Sequence, residues 1–178
     1  MADSDDGSNA ILLSDPSSGT TARASSILQK NAKLYGPMNA LNYSNETSCW
    51  NSEGSPQGKT SSWMCVDFGR RIVPTKVGIQ FQAGFVAEEV TVMVLKSEEG
   101  DATSSQAWEK IDDFEVEDDH EMQFLDLVED GNAEKIPESG TTAIKLIFDE
   151  CTDFYGRVTI YQLQVWGHDV EGDEKDEA

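Results

Sequence analysis

The stretch that decides the fold is "SSWMCVDFGRRI", residues 61–72. Alternate residues of an extended segment face opposite sides. One side of this segment carries Met64, Val66 and Phe68, and the other carries Trp63, Cys65 and Asp67. This alternation predicts a strand whose apolar face packs in a core. We expect Gly69 to end it, and Asp67 to accept bonds from turn amides or to pair with Arg70.

The same period of two recurs along the chain. It is clearest in "TKVGIQFQ" (75–82), "EEVTVMVLK" (88–96), "TTAIKLIFD" (141–149) and "VTIYQLQVWG" (158–167), and weaker in "ASSIL" (24–28), "AWEKIDDFE" (107–115) and "EMQFLDL" (121–127). Short alternating strands separated by Gly, Pro and Ser are typical of antiparallel sandwiches and barrels. In a sandwich we expect Trp63 to close one end of the core, with Val66 and Phe68 between the sheets.

Both ends of the chain differ in composition from the middle. Residues 1–20 contain four aspartates and no Lys or Arg, and seven of the eleven residues 168–178 are charged. Such segments cannot bury enough apolar surface to offset their conformational entropy. The sequence therefore predicts a disordered acidic N-terminal tail over 1–20, one domain over 21–167, and a disordered acidic C-terminal tail over 168–178.

The charge balance limits the possible partners. The formal net charge is −21, from 34 acidic residues against 13 Lys and Arg. This field repels nucleic-acid phosphates and anionic membrane surfaces, so we expect neither as a direct partner. The three cysteines are an odd number without metal-ligand spacing, and no signal segment is evident. These features predict a protein of the nucleus or cytoplasm that is not secreted.

No pattern for catalysis is present. The sequence lacks GxSxG, HExxH and a phosphate-binding glycine loop. Its two histidines, His120 and His168, lie in an acidic run and in the predicted tail. Asp112 and Asp113 are adjacent, so on a strand they point to opposite faces and cannot act as a carboxylate pair. We therefore expect a binding protein rather than an enzyme.

Two family resemblances rest on longer motifs. "SSWMCVDFGRRIVPTKVGIQFQ" (61–82) resembles the discoidin, or coagulation-factor type C, pattern, and "NALNYSNETSCWNS" (39–52) resembles the loop that leads to a Trp in that superfamily. A closer resemblance is to the orphan nuclear receptor-associated family, also called testicular receptor four associated proteins. It is carried by "ASSIL", "ETSCWNS", "IQFQAGF" and "FDECTDFYGRVTIYQLQVWG", and it spans residues 24–167.

The resemblance implies an all-β fold, an antiparallel β-sandwich in the form of an eight-stranded jelly roll of the galactose-binding-like, discoidin type. It also implies a nuclear receptor coregulator of the repressor type, a non-enzymatic protein-binding module whose partner is an orphan nuclear receptor. The candidate recognition residues lie in loops at one end of the sandwich. They are Trp50, Asn51, Gln82, Phe85, Asp153, Phe154, Tyr155 and Arg157.

The segment "TDFYGRVTIY" has two interpretations. In the first, exposed Phe154 or Tyr155 contributes apolar contact area and Arg157 offers a forked donor to a partner. In the second the loop is scaffold: Asp153 pairs with Arg157, and Phe154 plugs the bottom of the barrel. The sequence alone does not decide between the two interpretations.

A carbohydrate- or glycan-binding module is the alternative function, with Trp50 and Arg157 as the pair that would hold a sugar. Some relatives with this jelly roll also hold structural calcium in the loop before the Trp. The corresponding oxygens here belong to Asn42, Asn45, Ser48 and Gln162. Such relatives carry carboxylates where this chain has Gln162 and Tyr43, or Asn42 if the loop is shifted by one, which weakens a site for a hard divalent cation. The asparagines would otherwise act as turn residues. We expect no cofactor, with calcium left open.

Overall fold

The computed structural model describes residues 9–96 and 107–171. The strands are β1 (Ile11–Leu12), β2 (Thr21–Ala24), β3 (Trp50–Asn51), β4 (Ser62–Phe81), β5 (Ala87–Leu95), β6 (Trp108–Glu115), β7 (Met122–Asp126), β8 (Thr141–Cys151) and β9 (Thr159–Asp169). The helix α1 spans Ala32–Tyr35, and 3-10 turns span Pro16–Ser18, Leu28–Lys30, Pro37–Leu41, Pro56–Gly58 and Asn132–Lys135. No helix in this part of the chain is long and apolar enough to cross a membrane.

The strands form two antiparallel layers that share strand β4. The first half of β4 pairs with β2 and β8, and the layer continues through β5 to β6. Its second half pairs with β7 and β9. The far edge of β9 pairs with the two-residue strands β1 and β3. The predicted antiparallel sandwich is therefore confirmed, with nine strands in the described residues where eight were expected.

Strand β4 changes layers at the glycine that was predicted to end it. The pairing with β8 shifts register between Asp67 and Ile72, and Gly69 lies in this interval with φ +66°. A glycine adopts this left-handed conformation without steric cost, so the chain bends and continues as a strand to Phe81. The Gly69 amide donates to Asp67 Oδ1 at 2.8 Å. Arg70 pairs with Asp169 and not with Asp67.

The core between the layers is made of the inward faces of the long strands. Val66 and Phe68 are fully buried there, as predicted. The prediction for Trp63 was wrong: it is half-buried and packs in a separate cluster with Cys65 and Trp108, under the Lys145 ammonium at 4.8 Å from the ring centre. The reason is the parity of β4, since Trp63 shares its face with Cys65 and Asp67, opposite the core face.

The ordered domain begins before residue 21. Leu13 and Ser14 are completely buried, and the Leu13 amide donates to the Val165 carbonyl at 2.7 Å. The expected tail over 1–20 therefore does not describe residues 9–20. The three residues "ILL" are apolar, and the polar composition of the whole segment concealed them. Strand β9 likewise runs past residue 167 to Asp169. Residues 1–8 and 172–178 of the two predicted tails lie outside the described residues.

Amide exchange tests this boundary. We expect the amide hydrogen of Leu13 to exchange as slowly as those in the middle of strand β9, because it is buried and bonded to that strand. The amide of Gly19, in the exposed turn that follows, should exchange faster. Exchange of Leu13 at the rate of an unstructured peptide would move the start of the domain back to residue 21.

Candidate functional site

Three loops meet at one end of the sandwich, and we call this end the tip. It is formed by residues 52–61, 82–86 and 152–158. Backbone hydrogen bonds tie the loops together: the Ser52 amide donates to the Val158 carbonyl at 2.9 Å, and the Thr152 amide donates to the Val86 carbonyl at 2.9 Å. Because backbone groups make these bonds, the tip is held by the fold itself and presents its side chains from fixed positions.

An ion pair between Asp153 and Arg157 fixes the third loop. Arg157 donates from Nε to Oδ2 at 2.9 Å and from Nη2 to Oδ1 at 3.0 Å. The amides of Tyr155 and Arg157 also donate to Oδ2, each at 3.1 Å. These bonds hold the pKa of Asp153 below its ordinary value and raise the pKa of Arg157. The pairing that the scaffold interpretation predicted is therefore present.

The two aromatic residues of this loop face solvent. The exposed fraction is 69% for Phe154 and 52% for Tyr155. Their rings contact each other edge to face, with centroids 5.1 Å apart. The prediction that Phe154 plugs the bottom of the barrel was wrong, because Phe154 lies on the exposed turn in which Asp153 accepts from the Tyr155 and Arg157 amides. The loop therefore combines a rigid base with an exposed aromatic pair.

Phe85 and Gln82 come from the neighbouring loop, and Phe85 shares the Arg157 guanidinium with Tyr155. The Arg157 guanidinium is 5.4 Å from the centre of the Phe85 ring and 5.7 Å from that of Tyr155. Gln82 is half-buried, and its amide donates to the Thr159 carbonyl at 3.0 Å. A guanidinium between two rings is a favourable cation–π arrangement, so it connects the two loops as well as orienting Tyr155.

Trp50 and Asn51 do not belong to the exposed surface of the tip. Trp50 is fully buried, its indole N–H donates to the Ser26 carbonyl at 3.0 Å, and its ring lies 5.7 Å from that of Phe148. The expectation that Trp50 and Arg157 form a sugar platform was therefore wrong. Asn51 Oδ1 accepts from the Thr159 hydroxyl, so its side chain is bonded to strand β9. Both side chains therefore form hydrogen bonds within the fold, beneath the loops of the tip.

Sequence reasoning missed the glycines that allow the loops to meet. A Cβ on Gly156 would lie 3.1 Å from the Gly58 Cα, and Gly156 has φ +70°. Both features favour glycine at this position. The signal was available in "PQG" and "FYG", but their proximity depends on a tertiary contact between distant parts of the chain.

The aromatic pair borders two surface grooves. One, of about 500 Å³, is lined by Gly54, Ser55, Pro56, Tyr155 and Arg157. The other, of about 420 Å³, includes Phe154 and Glu150. Each groove is open to solvent and has one aromatic side chain in its wall. Shallow grooves beside exposed aromatic side chains are suited to receiving side chains of a protein partner.

Comparison with known proteins identifies the family. The human nuclear receptor 2C2-associated protein is 34% identical over 151 residues, which are 85% of this chain and 94% of the human protein. The bovine protein of the same name is 33% identical over 152 residues. The chain belongs to the nuclear receptor 2C2-associated protein family. No protein-family model matches this family member.

Solved structures show the same fold in distant proteins. A chitosan-binding module from a Paenibacillus chitosanase/glucanase superposes with TM-score 0.66 at 16% identity, covering 88% of this chain and 99% of the module. A coagulation-factor 5/8 type C domain from Bacteroides fragilis superposes with TM-score 0.67 at 11% identity, covering 93% and 99%. At these identities the likeness establishes the discoidin-type, galactose-binding-like sandwich and nothing about ligands.

The candidate calcium loop forms hydrogen bonds within itself. The Asn42 and Asn45 side-chain oxygens accept from the backbone amides of Ser44 and Thr47 at 3.3 and 3.0 Å. The Ser48 amide donates to the Asn45 carbonyl at 3.3 Å. The structure thus gives these residues the turn roles that were the alternative to metal binding.

Tyr43 and Gln162 occupy the places where carboxylates were expected. The Tyr43 hydroxyl donates to the Leu163 carbonyl at 2.5 Å and lies 2.6 Å from Ser14 Oγ. Burial raises its pKa to about 12, so the group is a neutral phenol. Gln162 Oε1 accepts from Gln164 Nε2 at 3.4 Å. A calcium ion here would have amide and hydroxyl oxygens as ligands, without formal negative charge.

We therefore expect calcium to change the melting temperature by less than about one degree, since stabilisation requires a ligand concentration well above the dissociation constant. Thermal unfolding at millimolar calcium, compared with unfolding in a chelator, measures this. A rise of several degrees that the chelator reverses would establish a site in the Asn42–Ser48 loop or elsewhere, and Asn45→Ala would distinguish the two.

Other side chains that could bind metals or act as nucleophiles are few in residues 9–96 and 107–171. Asp119, His120 and Glu121 place their ligand atoms within 4.8 Å of one another on a surface loop. The three cysteines are free thiols. Burial, followed by the charge of Asp149, raises the pKa of Cys151 to about 11, so this thiol is protonated and weakly nucleophilic at neutral pH.

Proposed function

We propose that the chain is a non-enzymatic protein-binding module that associates with a nuclear receptor and acts as a coregulator of the repressor type. The family relatives are named for association with nuclear receptor 2C2. The observation that carries the proposal is the exposed pair of Phe154 and Tyr155 on a loop fixed by the Asp153–Arg157 pair. We propose that this loop is the receptor-binding surface.

The geometry supports this role on energetic grounds. Aromatic side chains and Arg supply most of the binding free energy at protein interfaces. The bidentate bond fixes the loop that carries both rings. The Tyr155 ring contacts the Arg157 guanidinium, and the Phe154 ring contacts Tyr155. A loop that is already ordered loses little conformational entropy on binding, so more of the contact energy appears as affinity.

Other observations support the remaining parts of the proposal. The raised pKa values of Cys49, Cys65 and Cys151 disfavour thiolate chemistry, and free thiols suit the reducing nucleus or cytoplasm. The net charge of −21 disfavours direct contact with DNA. An effect on transcription would then pass through contacts with the receptor protein.

Capture of purified nuclear receptor 2C2 by the immobilised chain tests the proposal. Replacing both Phe154 and Tyr155 by alanine should weaken capture about tenfold or more, because each ring is expected to contribute at least about 1 kcal/mol. Stability should change by less than about 0.5 kcal/mol per substitution, since both side chains are exposed. The matched control is Phe124→Ala, which removes a ring that is 55% exposed on strand β7.

Unchanged capture by the folded double variant would remove the loop from the receptor-binding surface. Absence of capture by the unmodified chain would contradict the association itself. Loss of capture in the Phe124→Ala control as well would indicate a general apolar attraction in place of a site at the tip.

A carbohydrate-binding module is the second candidate. The groove beside Tyr155 and Arg157 pairs an aromatic ring with a hydrogen-bond donor, and one structural neighbour is a chitosan-binding module. Titration with chitosan oligosaccharides, followed by amide chemical shifts, separates the two functions. Saturable shifts confined to residues 54–56 and 155–157, lost in Tyr155→Ala, would favour the sugar.

A further inference from the structure

Acidic residues stand directly opposite one another on three neighbouring strands near the tip. Glu89 of β5 pairs with Glu115 of β6 on one side and with Asp149 of β8 on the other. Like charges in directly opposed positions destabilise a sheet. The fold therefore holds a row of three carboxylates that repel one another, an arrangement that a sequence selected for stability alone would avoid.

Glu150 adds a second unfavourable feature at the same place. It has φ +52°, a left-handed conformation that is costly for a residue with a side chain. The antiparallel register sets it against Glu88, between the pairs Ala87–Cys151 and Glu89–Asp149. The Glu150 side chain is exposed near the end of strand β8.

With the exception of Asp149, these residues line a groove that shares Glu150 with the groove beside Phe154. The groove has a volume of about 290 Å³, and its acidic wall consists of Glu88, Glu89, Glu115, Glu117 and Glu150. Glu150 also lines the groove that contains Phe154. A continuous surface therefore runs from the carboxylates past Glu150 to the exposed ring. We call it the acidic–aromatic surface.

The charge of this surface is not balanced from within. Among residues 9–96 and 107–171, none of the five groove carboxylates forms an ion pair, and neither does Asp149. Lys110 is close enough to Glu89 to feel its charge, but its ammonium is bound by Asp113. Arg157 is bound by Asp153, which leaves Lys59 as the basic residue in the Phe154 groove.

We propose that the acidic–aromatic surface docks a basic polypeptide segment of the partner. Lysine or arginine side chains of that segment lie on the carboxylates of Glu88, Glu89 and Glu150, and an apolar side chain packs against Phe154. The inference rests on the proposed function, because it names the chemistry of the segment that the partner presents at the tip. Charge complementarity selects this occupant: an acidic or neutral segment would leave the repulsion in place, and a nucleic acid would increase it.

A synthetic peptide tests the charge requirement separately from the receptor. The probe is a labelled peptide in which lysines flank a central leucine pair, and the control probe has glutamate in place of every lysine. We expect the unmodified chain to bind the lysine peptide and not the glutamate peptide. Raising the salt from about 50 to about 200 mM should weaken binding several-fold, because the contacts are between exposed charges.

Matched variants assign binding to the surface. The double variant Glu88→Gln, Glu150→Gln should weaken binding of the lysine peptide about two- to fivefold per charge removed, the range measured for exposed ion pairs. The control, Glu134→Gln with Glu138→Gln, removes the same charge near the start of strand β8, at the opposite end of the sandwich. The glutamine variant at the tip should be at least as stable as the parent, because it removes opposed charges.

The outcomes separate this inference from the proposed function. Equal loss of peptide binding in both glutamine variants would show a general charge effect and overturn the proposal. A second outcome is receptor capture that depends on Phe154 and Tyr155 but does not change in the Glu88→Gln, Glu150→Gln variant. It would keep the receptor-binding function and overturn the proposal that the partner presents a basic segment. Peptide binding at the tip without receptor capture would keep the acidic–aromatic surface and contradict the receptor as partner.

Discussion

Replacement of Trp50 by alanine is expected to lower the free energy of unfolding by about 3–5 kcal/mol, the usual cost of removing a large buried aromatic side chain. The indole is fully buried against Phe148, and its N–H is bonded to the Ser26 carbonyl. The variant would lose the packing and leave that carbonyl without its donor. Chemical denaturation, monitored by the remaining tryptophans, measures the change.

The control for this prediction is Trp63→Ala. Trp63 is half-buried on the outer face of β4, beneath Lys145, so its removal should cost clearly less. A domain of this size has a total stability of about 5–15 kcal/mol, and the difference is therefore easily resolved. Equal costs would contradict the assignment of Trp50 to the core. A stable Trp50→Ala variant with altered ligand binding would restore its earlier interpretation as a recognition residue.

The second large effect is expected for Asp153→Asn. The Asp153 side chain is 11% exposed and accepts two bonds from the Arg157 guanidinium and two from backbone amides. Loss of the charge should cost about 1.5–3 kcal/mol, the range for hydrogen bonds to ionised groups. Receptor capture should fall with it, because Phe154 and Tyr155 lose their fixed base. Asp113→Asn is the control, since the Lys110–Asp113 pair is more exposed and such pairs contribute about 1 kcal/mol or less.

The pH dependence gives an independent check on Asp153. Its pKa is lowered in the folded protein, chiefly by the bond from Arg157. The stabilisation that the Asp153 carboxylate provides is therefore complete above the ordinary aspartate pKa of about 3.9. It is lost as the pH falls through the lower pKa that Asp153 has in the folded protein. Asp153→Asn should lose less stability than the parent over this acid range. Identical acid profiles would contradict the role assigned to the pair.

The strands and their inward faces could be predicted from the sequence because alternation is local. Val66 and Phe68 lie in the core as their parity predicted, and the resemblance of residues 24–167 identified both the family and the sandwich. The residues of the third loop were also found, since Asp153 and Arg157 are close enough in the chain to suggest their pairing. The pattern thus indicated loops that the structure brings together at the tip, and their role as a recognition surface stays a prediction.

The exposure of individual side chains could not be predicted in the same way. Trp50 and Phe154 both stand at loop boundaries next to polar residues, but the first is buried and the second faces solvent. The difference depends on Phe148 and Ser26, which come from separate parts of the chain and contact Trp50, whereas Phe154 stays exposed on its own turn. The repulsion between Glu89, Glu115 and Asp149 likewise exists only once the strand register is known.

Strand β9 has a consequence for the order of events during synthesis. It pairs with β1 and β3, so residues near positions 12 and 50 find their partners only after positions 160 and 166 have been made. Contacts between such distant residues form slowly, because a long loop must close first. The tip also includes Val158, whose carbonyl accepts from Ser52. A nascent chain that ends before this strand therefore has neither a closed core nor an assembled tip, and the domain completes its fold only after strand β9 has been made.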